Sequence, residues 1–115
     1  MAGFIVTYTF KGTEAKARRD NFNKFVNDFS KTIIKEKNDS TIIGKSDSRL
    51  FTEDQTGIID KLLAKNEKLP EDSKILTKED NVLCIEIYEN RIINVLRIKE
   101  LSLIEPRGIK YLFTV

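Results

Sequence analysis

The chain has 115 residues, 20 Lys+Arg against 18 Asp+Glu, one cysteine, and neither histidine nor tryptophan. Its length suits one domain, 1–115, and is too short for two, while 40% hydrophobic residues give that domain a core. Without histidine no Ser-His-Asp or Cys-His arrangement can be built, and one cysteine cannot supply a zinc thiolate cluster.

The first predicted element is a strand. Phe4-Ile5-Val6-Thr7-Tyr8-Thr9-Phe10 is rich in β-branched and aromatic residues, with Phe4, Val6, Tyr8 and Phe10 on one face. Such an apolar first strand belongs at the centre of a sheet. Lys11-Gly12-Thr13 breaks it. Glu14 to about Thr32 reads as a helix with Thr13 as N-cap, because Phe22, Phe25, Val26, Phe29 and Ile33 fall on one helical face. The period of that face makes the phenylalanines core residues rather than a base-stacking platform.

Asn38-Asp39-Ser40 is turn chemistry, and Ser40-Thr41-Ile42-Ile43-Gly44-Lys45 is a short strand. Thr52-Glu53-Asp54-Gln55 has the capping-box pattern and opens a second helix, whose stripe is Ile58, Ile59, Leu62 and Leu63. Leu69-Pro70-Glu71-Asp72-Ser73 ends it. Val82 to Tyr88 is the strongest strand, with Leu83, Ile85 and Ile87 on one face and Val82, Cys84, Glu86 and Tyr88 on the other. Its near-continuous apolar run predicts a central, two-sidedly buried strand. Glu89-Asn90 is a turn, Arg91 to Ile98 a further strand by β-branched content, and Ile109 to Val115 an alternating last strand.

Alternating elements on so short a chain predict an α/β sandwich, two helices over one face of a sheet. If Thr32 to Lys35 is extended and pairs with Ser40 to Lys45 across Asn38-Asp39, the order becomes β-α-β-β-α-β, ferredoxin-like, with extra C-terminal strands.

Three segments carry a resemblance: Phe4-Ile5-Val6-Thr7-Tyr8, Ser40-Thr41-Ile42-Ile43-Gly44-Lys45, and Asp80-Asn81-Val82-Leu83-Cys84-Ile85-Glu86. Across residues 3–90 the chain resembles the SinR-like relatives of the small CRISPR-associated adaptation nuclease. The resemblance implies a ferredoxin-like dimer joined through C-terminal strands, here through Ile109, Tyr111 and Phe113. Nuclease members of that family carry a metal-holding aspartate at the end of the first strand. Thr9 stands there in this chain, which argues against nuclease activity.

The net charge of +2 is too small to name nucleic acid as a partner, but its distribution is uneven. Residues 1–50 hold 10 Lys+Arg against 6 Asp+Glu, and residues 51–115 hold 10 against 12. The early excess is read first as the solvated face of a helix, and second as a phosphate-binding face of Lys16, Arg18, Arg19 and Lys24. Glu53-Asp54, Glu71-Asp72 and Glu79-Asp80 sit at element boundaries, where acids cap or solvate rather than gather a metal. No Gly-rich phosphate-cradling motif occurs among the five glycines. Glu86, an acid within an apolar strand, lies either on a solvated sheet face beside Tyr88 or buried against Arg91, Arg97 or Lys110; it is read as half of a structural ion pair, with a catalytic acid as the alternative.

No apolar stretch approaches the ~18 residues of a membrane span, no signal-like segment opens the chain, and the lone Cys84 reads as a small buried hydrophobe. These features place the expectation in a reducing cytoplasm. The functional expectation is a non-enzymatic binding or accessory protein without cofactor, metal or membrane. It would be a homodimer that contacts a protein partner, and an inhibitor or regulator encoded by a phage or mobile element fits the Lys/Asn/Ile-rich chain. The alternative is a nucleic-acid binder or metal-dependent nuclease of the adaptation-subunit type.

Overall fold

A computed structural model describes residues 2–29 and 31–104. The chain runs β1 (Ala2–Thr9), α1 (Ala15–Asp28), β2 (Thr32–Lys37), β3 (Thr41–Ser46), α2 (Ile58–Lys68), a 3-10 turn (Glu71–Ser73), β4 (Asn81–Tyr88), β5 (Arg91–Lys99) and β6 (Ser102–Ile104). The six strands form one sheet in the order β2-β3-β1-β4-β5-β6, and every neighbouring pair is antiparallel. The architecture is α+β, an antiparallel sheet with two helices. As the sequence predicts, β1 and β4 lie at its centre.

Strand periodicity assigns the two faces. Phe4, Val6 and Tyr8 of β1, Ile42 of β3, Val82 and Cys84 of β4 and Ile98 of β5 are buried, and they share one core with Phe22 and Val26 of α1 and Ile58, Ile59 and Leu62 of α2. Phe25 and Phe29 pack at the edge of that core, so the phenylalanines of α1 are core residues. Gly44 stands on the same face. A Cβ there would lie 2.8 Å from the Phe4 ring and 2.7 Å from the Ile33 carbonyl, so glycine makes room for the aromatic side chain. The opposite face carries half-buried side chains along β1, β3 and β4, with Thr9 exposed at the end of β1. The two-sided burial predicted for β4 is therefore not found among the described residues.

Three local expectations are corrected. The first helix ends at Asp28, and Thr32-Ile33-Ile34 enters β2, so Ile33 lies on the sheet and is exposed rather than on the helical stripe. Pairing of these β-branched residues with Gly44, Lys45 and Ser46 outweighs the helical spacing. This pairing forms the hairpin across Asn38-Asp39. Thr13 does not cap α1: Glu14 occupies the N-cap in the left-handed region at φ 57° with no side-chain cap. The second helix starts at Ile58, not after Thr52. Gly57 is its N-cap, with its N–H donating to Asp60 Oδ2 at 3.1 Å. The chain at Leu50 crosses so close that a Cβ on Gly57 would lie 2.3 Å from the Leu50 carbonyl. Thr52 instead organises the preceding loop, where its Oγ1 accepts from the Thr56 N–H at 2.8 Å.

Among the described residues no helix is long and apolar enough to cross a membrane. The predicted last strand, Ile109–Val115, lies outside the described residues.

Candidate functional site

Two buried carboxylates draw attention first, because a buried acid costs free energy unless it is fully bonded. Glu86 points from β4 into the core side and is 1% exposed. Its Oε2 accepts from the Leu50 N–H at 2.8 Å and from Arg49 Nε at 2.8 Å. Its Oε1 accepts from Asn94 Nδ2 at 3.1 Å. The ion pair expected of Glu86 is present, with Arg49 as partner instead of Arg91 or Arg97. The carboxylate holds Arg49 protonated, raising that guanidinium's pKa through the hydrogen bond first. Every lone pair of Glu86 that faces the protein is engaged by a structural donor, an arrangement that fixes the β3–α2 loop to the sheet.

Asp80 is the second. It is 2% exposed and precedes β4. It accepts from the Lys11 N–H at 3.0 Å, from the Thr77 N–H at 2.8 Å and from Arg18. Arg18 also donates to the Thr13 carbonyl at 2.9 Å, the Ile75 carbonyl at 3.4 Å and the Lys11 carbonyl, and lies over the Phe10 ring. One buried ion pair thus ties α1, the β1–α1 loop and the segment before β4 together. Arg18 is 6% exposed, so it is a structural residue and presents nothing to a phosphate in solvent.

The other three basic residues singled out in the sequence are not brought to a common site. Arg19 is half-buried and sits near Asp20 and Asp39, at 4.0 and 3.8 Å. Lys16 and Lys24 are exposed on α1 with Asp20 between them at helical spacing, so the face is of mixed charge. Ile109, Tyr111 and Phe113 lie outside the described residues. Cys84 is buried and its thiol pKa is driven far upward by burial, so it is held as the neutral thiol. Among the described residues no group of three or more His, Cys, Asp or Glu is placed to hold a metal ion.

Two features remain open to solvent. The first is the sheet face turned away from the helices. The strand register sets Ile43, Ile5, Ile85 and Val95 side by side across β3, β1, β4 and β5. Ile87 and Ile92 form part of the row on one side, and Leu83 lies in the row on the other. Ile33 and Ile104 extend the apolar surface onto the flanking strands and are each more than 40% exposed. None of the described elements packs over it.

The second is a polar cleft of about 570 Å³ where β1 ends and β4 begins. Thr7 and Thr9 line it from β1, Asn81 from β4, and Arg97 and Lys99 from β5, with Lys11 and Glu79 from the adjoining loops. Arg97 donates to Asn81 Oδ1, which orients its guanidinium along the cleft wall. Sequence reasoning singled out Thr9 as the place of a missing aspartate and missed the cations around it. Arg97 and Lys99 are two apart on one strand, and cross-strand pairing with Leu83 and Asn81 brings them to Thr7 and Thr9. That juxtaposition follows from sheet order, which the spacing of residues does not carry.

No family model, curated protein or solved structure matches the chain.

Proposed function

We propose that the chain is a non-enzymatic binding module that assembles as a homodimer through its open sheet face and serves as an accessory or regulatory subunit for a protein partner. The observation that carries this reading is the apolar row of Ile43, Ile5, Ile85 and Val95, uncovered among the described residues. Contiguous apolar surface left to water marks an interaction site. Five strands at about 4.8 Å spacing and six to nine residues each at about 3.4 Å rise give a face of about 600 Å². Two such faces bury about 1,200 Å², at the lower end of the range of specific interfaces.

Charge favours a second copy as the occupant. Glu36 stands on the same face at the β2 margin, beside Ile43, with Lys45 two residues further along β3, and Arg97 and Lys99 stand at the β5 margin. A two-fold axis parallel to the strands sets Glu36 of one copy against the basic margin of the other, a self-complementary arrangement. The order β2-β3-β1-β4, with α1 and α2 as the two crossovers, supports a ferredoxin-like core to which β5 and β6 are appended.

Light scattering tests the dimer. The expected mass is twice the 13.3 kDa of one chain at high micromolar concentration. Ile43→Lys places a charge in the apolar row and is expected to give monomers of unchanged circular dichroism. Glu36→Lys, on an exposed edge strand, sets like charges together and is expected to weaken association about tenfold. A 13.3 kDa mass for the unaltered chain at that concentration refutes the reading.

A further inference from the structure

We infer that the polar cleft between the end of β1 and the start of β4 binds a phosphate-type dianion carried by a small molecule. Three cations, Lys11, Arg97 and Lys99, converge on it. Two acids also line it. Asp80 is neutralised from behind by Arg18 and has both oxygens engaged, which leaves Glu79 as the one acid at the mouth. The cleft therefore holds a local charge of +2, equal to the net charge of the whole chain, within about 570 Å³.

Like charges gathered in a concave space repel unless an anion joins them, and the low-dielectric walls of a cleft strengthen both effects. The hydroxyls of Thr7 and Thr9 add neutral donors on the floor. Arg97 is held in place by Asn81, so its fork is oriented before any ligand arrives. Oriented guanidinium, flexible ammonium groups and hydroxyl donors together match the oxygens of a phosphate group.

The form of the cleft favours a small phosphorylated molecule over a nucleic-acid strand. Its volume falls within the range of small-ligand sites. A strand-binding groove needs aromatic faces on which bases stack. The aromatic side chain in this lining is Tyr8, which is 5% exposed and donates its hydroxyl to Asn23 in the core. The cleft is formed within one copy of the chain, but Leu83, Arg97 and Lys99 also belong to the open sheet face, so the titration is repeated on the Ile43→Lys variant to separate its outcome from that of the dimer.

Isothermal titration of the unaltered chain, at fixed ionic strength set with chloride, tests it with three probes: inorganic phosphate, a nucleoside monophosphate and a single-stranded oligonucleotide. Phosphate and the monophosphate are expected to bind, and R97Q and K99Q each to weaken binding at least tenfold. T9V, isosteric and exposed, is expected to weaken it severalfold with an unchanged melting temperature. K16Q and K24Q, on α1 outside the cleft, are expected to leave it unchanged. Absence of phosphate binding overturns the inference, as does binding that survives both R97Q and K99Q. An oligonucleotide that binds more tightly than the monophosphate, with affinity falling steeply with salt, overturns the small-molecule assignment in favour of a strand.

Discussion

Glu86→Gln isolates what the buried carboxylate does, because it keeps shape and volume and removes only charge and one acceptor. In the native chain Oε2 takes the N–H groups of Leu50 and Arg49, and Oε1 takes Asn94. A glutamine has one oxygen and one NH2, so in either orientation its NH2 meets at least one of these donors. If the oxygen serves Leu50 and Arg49, the Asn94 amide must flip or lose its bond. If it serves Asn94, a buried backbone N–H is orphaned at about 1–3 kcal/mol. Loss of the charge also weakens the bonds that survive. Removing one partner of a fully buried pair costs about 3–5 kcal/mol. Here the Arg49 side chain is 43% exposed and can turn to water, so its share is discounted. The expected loss is about 2–3 kcal/mol, or a melting temperature lower by about 10 °C for a domain of this size. Urea unfolding followed by circular dichroism reads it as a lower midpoint at unchanged slope. Arg49→Ala leaves a charged carboxylate that is 1% exposed with only Leu50 and Asn94 as donors, so it is expected to cost a comparable amount, about 2–3 kcal/mol. A loss below about 0.5 kcal/mol for Glu86→Gln would refute the view that Glu86 anchors the β3–α2 loop through its carboxylate.

Two further outcomes follow from buried polar groups. Asn66 of α2 is 3% exposed; its Oδ1 accepts from the N–H groups of Ile75 and Leu76 at 2.7 and 2.9 Å, and its Nδ2 donates to the Leu76 carbonyl at 3.0 Å. Asn66→Ala orphans three backbone groups and is expected to cost about 3 kcal/mol in the same unfolding assay, whereas a cost under about 1 kcal/mol would mean water replaces the side chain. Burial raises the thiol pKa of Cys84 and the phenol pKa of Tyr8, whose hydroxyl donates to Asn23. In both cases the unfolded chain ionises first, so stability is fully present below the unfolded thiol pKa and falls as pH rises above it. For Cys84 the loss reaches about 2 kcal/mol by pH 10, from an unfolded pKa of about 8.5. Cys84→Ala should flatten the decline between pH 8.5 and 10, and a slope identical to that of the unaltered chain would contradict the assignment.

Strand parity was legible in the residues because a period of two needs no tertiary information. Phe4, Val6 and Tyr8 share one face as read, as do Val82, Cys84 and Glu86, and the structure turns both sets to the core. Element ends were less legible. Ile33 continues the helical stripe of Phe22, Val26 and Phe29, yet it pairs with Lys45 in the sheet. Only the presence of β3 decides between the two. A polar residue on an apolar stripe was the signal for Asn66, which continues the Ile59–Leu62 face of α2, and for Glu86 among Val82 and Cys84. The signal marks that such a residue is bonded. It does not name the partner, because Arg49 is 37 residues from Glu86.

The acids and the cations of this chain have separated roles, and that separation bears on function more than their totals do. The buried carboxylates, Glu86 and Asp80, are saturated by backbone N–H groups and by Arg49 or Arg18, so each closes a loop onto the sheet. Arg18, which the sequence groups with Lys16, Arg19 and Lys24, is drawn into this framework and lost to any surface site. The cations left to gather are Lys11, Arg97 and Lys99, which come from opposite ends of the chain and meet only because β1 and β5 both flank β4. A near-neutral total therefore conceals a concentrated positive cleft. The apolar row beside it is concealed in the same way, since Ile5, Ile43, Ile85 and Val95 become one surface only through the register of four strands. Both surfaces are products of strand order, which the spacing of residues along the chain does not carry.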